Sequence, residues 1–470
     1  MSLSTDSLTA DIVHDGSTRF LQVTAQDAQL LEPFEGEIAQ STLTGPLSTR
    51  NAKALQQVFP ALRPQLIGSH PVSVGTGDRI GLATPGQARA FTAHEGVMPV
   101  LSQQSIREMD RLDRTAQSVM DDAVFGLLEA GWDRGFGADC DHIKTTEGID
   151  RGLAAGFTMF TLDPGDFVAD VTAGVTAADA DSLPWDVLET TLEDTIARFA
   201  GRTIDVGHSQ ITVTEQDVVT AAVKYGAAVA EAIRLYRHVT DNAQHEIEVE
   251  FAVDETAWLT TFFEHYYLAA ELQRLGASWF SFAPRYVDGF EKGLDFLGDT
   301  EELRLNLEAH HAISEQFGGY KISLHSGSDK FSIYPLCVAA TGGRVHLKTS
   351  GTSYLCAVEI VARHDQELFA RIWEISRAAY AKARASYQVS AHEDRTPVTL
   401  EGVDLTALIH SDDARQILHV GYGDSLNGTL ADGTSIRERF LTVVAANQTE
   451  HTELVAEHIG KHLAPFAAGA

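Results

Sequence analysis

The chain has 470 residues, 44% of them hydrophobic and 21% charged, a composition that supports a large folded core and leaves no room for a disordered or low-complexity reading. With 66 Asp plus Glu against 35 Lys plus Arg, the formal net charge is −31, which excludes nucleic acid and anionic membrane as partners and confines any anionic substrate to a local positive pocket. Three cysteines without a CxxC pair exclude a disulfide framework and fit a reducing cytoplasm. The first residues lack the basic start and apolar stretch of a signal peptide, and no apolar run approaches the roughly 20 residues of a membrane span.

In chain order, residues 1–65 read as an N-terminal segment of mixed character. From residue 66 short β-prone runs alternate with longer charged, helix-like stretches. The runs are Gly77–Pro85, Met98–Ser105, Ala138–Thr145, Phe157–Pro164, Glu246–Val253, Ser278–Pro284, Lys321–Asp329 and Arg344–Gly351. Strands alternating with helices predict βαβ units and a parallel sheet, and this number of units predicts a closed (β/α)8 TIM barrel over 66–360. No GxGxxG follows an early strand, so a dinucleotide-binding sheet and a nicotinamide cofactor are not expected. Between Pro164 and Glu246 lie about 80 residues, too many for one crossover helix. Two amphipathic stretches there predict a helical insertion over about 167–245, which would cover the barrel mouth, form a subunit contact or add packing to the barrel. A homo-oligomer is left open. The rest, 361–470, predicts a mostly helical extension packed on the barrel, with one β-like run at Gln416–Gly423.

Several of these runs end in chemically capable residues, and in a barrel the strand C-termini converge on one mouth. Asp141-His142 in ADCDHIKT pairs a candidate base with a candidate ligand, with Lys144 beside it; the bland alternative is a polar surface cluster. Glu246, Glu248 and Glu250 share one strand face by their spacing of two, and Asp254 and Glu255 follow in the loop. Such a row faces a polar barrel interior or a metal, unless it lies on a solvated edge strand. His325 leads into Ser326-Gly327-Ser328-Asp329, where small residues let backbone N–H groups approach an anion; the alternative is a buried, hydrogen-bonded histidine at a strand turn. His346 and Lys348 share a face and precede Thr349, with Lys348 suited to a substrate carboxylate or, in the plainer reading, reaching water. Gln104, at the end of MPVLSQQS, completes the expected substrate-binding set of Gln104, Ser326, Gly327, Ser328, Asp329, Lys348 and Thr349. His142, Glu250 and His325, with His346 as a fourth, make a nitrogen and oxygen ligand set for Zn, Mn, Co, Ni or Fe. The remaining histidine clusters, His310-His311, His451, His458 and His462, read as surface residues.

The motifs GDRIGLATPG, PVLSQQSIRE, GFGADCDHIKT, AGFTMFTLDP, ISLHSGSDKFSIYP, VHLKTSGTSYL and LHVGYG together resemble the fructuronate/tagaturonate 4-epimerases of bacterial hexuronate catabolism. The resemblance covers Gly77 to Gly423 and implies a metal-dependent barrel that interconverts D-tagaturonate and D-fructuronate. The site pattern is also similar to that of class II aldolases, which implies Asp141 as base, His142, Glu250 and His325 as ligands, and the 326–328 loop as anion holder. Asp329-Lys330 after the loop departs from the aldolase pattern. The expected reaction is epimerisation at C4 by retro-aldol cleavage and re-addition, with Asp141 and Lys144 moving protons and ketohexoses such as tagatose or fructose as further substrates. The rivals are an aldolase that releases its fragments, an aldose–ketose isomerase, and a non-catalytic sugar-acid binding protein.

Overall fold

The computed structural model describes residues 2–387 and 389–467. Residues 468–470, the end of the extension expected over 361–470, lie outside the described residues. At the centre is a closed parallel barrel of eight strands in sequential order. They are β1 (Val72–Thr76), β2 (Met98–Ser105), β3 (Gly137–Ile143), β4 (Met159–Leu162), β5 (Glu248–Ala252), β6 (Ser281–Ala283), β7 (Lys321–Leu324) and β8 (Val345–Thr349). Pairing of β8 with β1 (Lys348 opposite Gly75) and of β4 with β5 (Thr161 opposite Glu250) completes the closure. The TIM barrel expected from the alternation of strands and helices is the fold observed.

The first strand was misplaced by the sequence reading. Gly77–Pro85 is not a strand; β1 is the short VSVGT run before it, buried throughout. The GDRIGLATP segment is a loop organised by Asp78. Its carboxylate accepts the backbone N–H groups of Gly81 and Ala83 at 2.8 Å each, and so feeds the chain into the helix Thr84–Ala93. Its β-prone residues serve a turn because a local carboxylate satisfies the backbone there. The β-like run Gln416–Gly423 is also helical, divided between Asp412–Val420 and Tyr422–Leu426. Its apolar residues pack into a second hydrophobic cluster with the helices Thr352–His364 and Gln366–Ala383.

Residues 3–45 form a five-stranded antiparallel sheet beside the barrel. Its second strand rests on the helix Ala116–Ala130, where His14 Nε2 meets Glu129 at 3.1 Å. Between β4 and β5, the helix Glu215–Asn242 is the barrel's own crossover helix, flanked by Thr146–Ala155 and Phe262–Arg274. The segment before it packs on the barrel's outside: Phe199 meets the rings of Phe263 and Tyr267 at 6.0 and 5.7 Å. None of the described residues lining the pocket and vestibule comes from 167–245, so of the roles left open for that segment the packing on the barrel is the one seen. The mouth is instead walled by the loops after β1, β5, β6 and β7 and by Tyr387 and His419 of the C-terminal helical region. Among the described residues no helix is long and apolar enough to cross a membrane.

Candidate active site

The barrel interior is charged where most barrels are apolar. Alternation along the strands points Asp139, Thr161, Glu250, Ser281 and Lys348 inward at one level. The Lys348 ammonium lies 2.8 Å from Asp139, 2.8 Å from Asp141 and 2.7 Å from Glu250, and all four residues are buried. One cation against three carboxylates leaves an excess of negative charge that low-dielectric surroundings make costly. Burial, with Asp141 and Glu250 close by, pushes Asp139 up to about 7 against the pull of Lys348. Against the cost of burial, Lys348, His142 and His325 hold Asp141 well below the usual carboxylate range.

Above this level β3 carries a bulge between Cys140 and Ile143, and His142 adopts a left-handed φ of 48°. Successive strand residues normally face opposite sides; the bulge lets both Asp141 and His142 reach the mouth. The His142 and His325 rings then meet edge to face at 4.9 Å. His142 Nδ1 pairs with Asp163 at 3.0 Å, and His325 Nε2 pairs with Glu250 at 2.7 Å. Each contact occupies one ring nitrogen and turns the other toward the mouth, the arrangement by which carboxylates orient metal-binding imidazoles. His325 Nδ1 lies 2.9 Å from Asp254 Oδ1, an ion pair buried at the mouth. Donor atoms of His142, Asp254 and His325 all lie within 4.8 Å of one another. Two imidazoles and a carboxylate suit a first-row divalent metal. The local field favours positive charge as well. Burial alone would lower both histidines, but Asp141, Glu255 and Asp163 raise His142 to about 10, and Asp254 and Glu250 raise His325 to about 9.

The structure brings His142 and His325 together with Asp254 as the carboxylate grouped with both, while Glu250 and His346 stand outside that group. Glu250 sits on the far side of the His325 ring and bonds Lys348 and Ser281. His346 lies deeper, with Nδ1 bonded to Ser73 at 2.8 Å, and burial pushes it down to about 3. Of the expected substrate-binding residues, Ser326, Ser328 and Lys348 line the pocket. Lys348 is already surrounded by carboxylates, which corrects its reading as a carboxylate anchor. Gln104 turns away and bonds Glu108 at 2.6 Å, while its neighbour Gln103 faces the pocket. Gly75 on β1 makes room for it, since a Cβ there would stand 1.6 Å from the Gln103 side-chain oxygen. Gly327 packs tightly on Leu347, and Thr349 bonds the Gly75 carbonyl at 2.8 Å; neither lines the pocket. The Asp329 carboxylate pairs with Arg415 at 2.8 Å, and its backbone N–H donates to His462 Nε2 at 2.9 Å. It ties the loop to the C-terminal helices and does not line the pocket. Lys144 bonds Asp166 at 2.6 Å and lines only the wider outer vestibule of about 400 Å³, so its place beside Asp141 is also corrected.

The sequence reading missed Arg79, Gln103, Arg107, Glu108, Lys292, Tyr387 and His419 on the pocket wall. Arg79 pairs with Glu108 at 2.6 Å and stacks on the Tyr422 ring at 3.8 Å; Arg107 pairs with Glu255 at 2.7 Å. Gln103 Oε1 and both ring nitrogens of His419 are buried without hydrogen-bond partners. Burial, with Arg79 and Lys292 nearby, holds His419 neutral. Such groups suit neutral hydroxyls. Asp254 carried a usable signal, as the first carboxylate past an apolar strand end. The histidines expected at the surface are corrected too: His310, His451 and His462 are each 0% exposed.

A family model described as tagaturonate epimerase, UxaE, matches residues 2–466. A tagaturonate/fructuronate epimerase of Thermotoga maritima is 36% identical over 415 residues, covering 88% of this chain and 84% of that protein. Crystal structures of a fructuronate-tagaturonate epimerase from Cohnella laeviribosi, one native and one with glycerol, superpose with a TM-score of 0.91 at 31% identity, covering 99% of this chain and 95% of theirs. A relative of this kind is a carbohydrate isomerase, and its barrel is the one described above. With a match across nearly its whole length, the chain belongs to the tagaturonate epimerase family.

Proposed function

We propose that this chain inverts C4 of a ketohexuronate, interconverting D-tagaturonate and D-fructuronate by retro-aldol cleavage and aldol re-addition around a divalent metal. The observation that carries the reading is the convergence of His142, His325 and Asp254 beside the buried Asp141 carboxylate.

The chemistry constrains the route. The C4 proton of these substrates is not α to a carbonyl, so removing it gains no enolate stabilisation. The C4 hydroxyl, however, is β to the C2 ketone, and the C3–C4 bond is the one a retro-aldol step breaks. A base takes the C4 hydroxyl proton, the bond electrons pass into the C2–C3 unit, and C4 becomes an aldehyde. After that fragment turns, the same electrons rebuild the bond on its other face.

His142, His325 and Asp254 would hold the metal, and when bound it would supply Lewis-acid stabilisation of the negative charge that develops at the C2 and C3 oxygens. Asp163 and Glu250 fix the two rings by occupying their other nitrogens. Asp141 is the base: it lines the pocket with Lys348 at 2.8 Å to compensate its charge. Gln103 and His419 present neutral hydrogen-bonding groups to the sugar hydroxyls. The loops and the C-terminal wall exclude water while the fragments are apart. The ketohexoses D-tagatose and D-fructose carry the same C2–C4 unit and are expected as slower substrates.

The test is conversion of D-tagaturonate followed by NMR, with protein stripped by chelator and reloaded with Zn, Mn, Co, Ni or Fe. The expected result is metal-dependent appearance of D-fructuronate with little free aldehyde. Full turnover by stripped protein would remove the metal, and accumulation of free aldehyde would make the chain an aldolase.

A further inference from the structure

The pocket wall carries a lysine that makes no ion pair among the described residues, although its charge is felt by Glu255 across the pocket. Among the described residues, the other lysines and arginines lining the pocket and vestibule each have a carboxylate within reach. Arg79 has Glu108 at 2.6 Å, Arg107 has Glu255 at 2.7 Å, Lys144 has Asp166 at 2.6 Å, Arg285 has Asp288 at 3.2 Å, and Lys348 has three. Lys292 lines both spaces and is half-buried, and no carboxylate stands within 4.0 Å of its ammonium among the described residues. A half-buried ammonium in a cleft gains from an anion in direct contact, and among the described residues none stands at contact distance.

The backbone under Lys292 is held from two directions. From the barrel side, the buried Lys330 donates to the carbonyls of Glu291 at 2.7 Å and Leu294 at 2.5 Å. From the C-terminal helix Asp412–Val420, Arg415 donates to the Gly293 carbonyl at 2.9 Å and Gln416 to that of Lys292 at 3.2 Å. The Glu291 carboxylate accepts from Ser390 Oγ at 2.6 Å and from Gln416 at 2.9 Å. Gly293, at φ +73°, makes the turn that a side chain would strain. The chain thus fixes the platform and leaves only the side chain to be satisfied, a preorganised site for an anionic group.

We infer that Lys292 binds the carboxylate of the substrate and so sets the preference for ketohexuronates over ketohexoses. The inference rests on the epimerase reading above, and it replaces Lys348 in that role. Lys292 acts as a specificity residue at the end of the substrate remote from the bond that breaks.

The test compares wild type, Lys292→Met and Lys292→Arg, all metal-loaded, with D-tagaturonate and with the neutral D-fructose as substrate or competitive inhibitor. Losing one charge-assisted contact should raise KM for D-tagaturonate about 10- to 100-fold while kcat moves little. The arginine variant should recover most of the loss. The D-fructose constants of Lys292→Met should match wild type, which shows an intact pocket. An unchanged KM for D-tagaturonate, or an equal loss for both sugars, would overturn the assignment. Inactive wild type would instead count against the epimerase reading. In that event calorimetric affinity for D-tagaturonate in wild type and Lys292→Met still decides whether Lys292 binds the acid.

Discussion

Lys348 shows how much a single side chain can carry in this barrel. Its ammonium offsets the charge of Asp139, Asp141 and Glu250, all buried. Lys348→Met would leave those carboxylates facing one another, and a loss of about 3–5 kcal/mol is expected in urea unfolding. Asp141→Asn keeps the shape but removes the proposed base; kcat should fall by about 10²-fold or more while metal content, read by elemental analysis, stays level. Asp163→Asn tests the orientation of His142: its bond to the ring Nδ1 is 3.0 Å, and metal affinity should drop about 10- to 100-fold in a competition titration. Retained affinity would mean that His142 is held by other contacts. Asp141, His142 and His325 were legible because each sits at the polar end of an apolar run. Glu250 was legible as an inward residue, but not as a partner of His325 Nε2, since period-two spacing gives a face and not a neighbour. Lys292 and His419 had no such signal, because loops and helices far along the chain bring them to the mouth.

The elements follow local rules where burial and pattern agree. β2, β4 and β7 are largely apolar runs that lead into polar residues, and β5 and β8 alternate apolar with charged or polar residues; either pattern suffices to mark a strand. β1, VSVGT, carries no charged or chemically capable residue at its end to mark it. The run after it is as β-prone but is bent by Asp78. The bulge in β3 is likewise a pairing feature: it arises from the register against β4, and it turns two consecutive residues toward one mouth. The C-terminal helices contribute function through contact. The helix Gln448–Ala467 lies against Thr84–Ala93 so closely that a Cβ on Gly86 would stand 2.6 Å from Val455 Cβ and 2.7 Å from the Thr452 carbonyl. Gly86→Ala should therefore destabilise by about 1–3 kcal/mol, measured as a lower denaturation midpoint. A neutral outcome would show that these helices separate at little cost.

For the whole molecule, buried neutral histidines set the response to acid. Burial pushes His310 down to about 3 and His451 to about 4, and both are fully buried in the barrel's helical shell. In the unfolded chain each would take a proton near pH 6.5. Below that pH the unfolded state binds more protons than the folded one, so stability falls as pH drops from about 6.5 toward 4 and levels off below the folded values. The expected slope is at most about 1.4 kcal/mol per pH unit for each histidine, read by denaturant unfolding across that window. His451→Gln should flatten it. A slope unchanged in that variant would place the acid response in other groups. The barrel class and the mouth that carries Asp141, His142 and His325 were determined by the sequence alone, because alternation of strand and helix and polar residues at strand ends are local patterns. Which carboxylate stands beside the two histidines, which lysine lines the pocket without an ion pair, and which histidines are buried were decided only by the tertiary structure. Those outcomes depend on register, a bulge and the packing of segments hundreds of residues apart, and on how charges pair once water is removed.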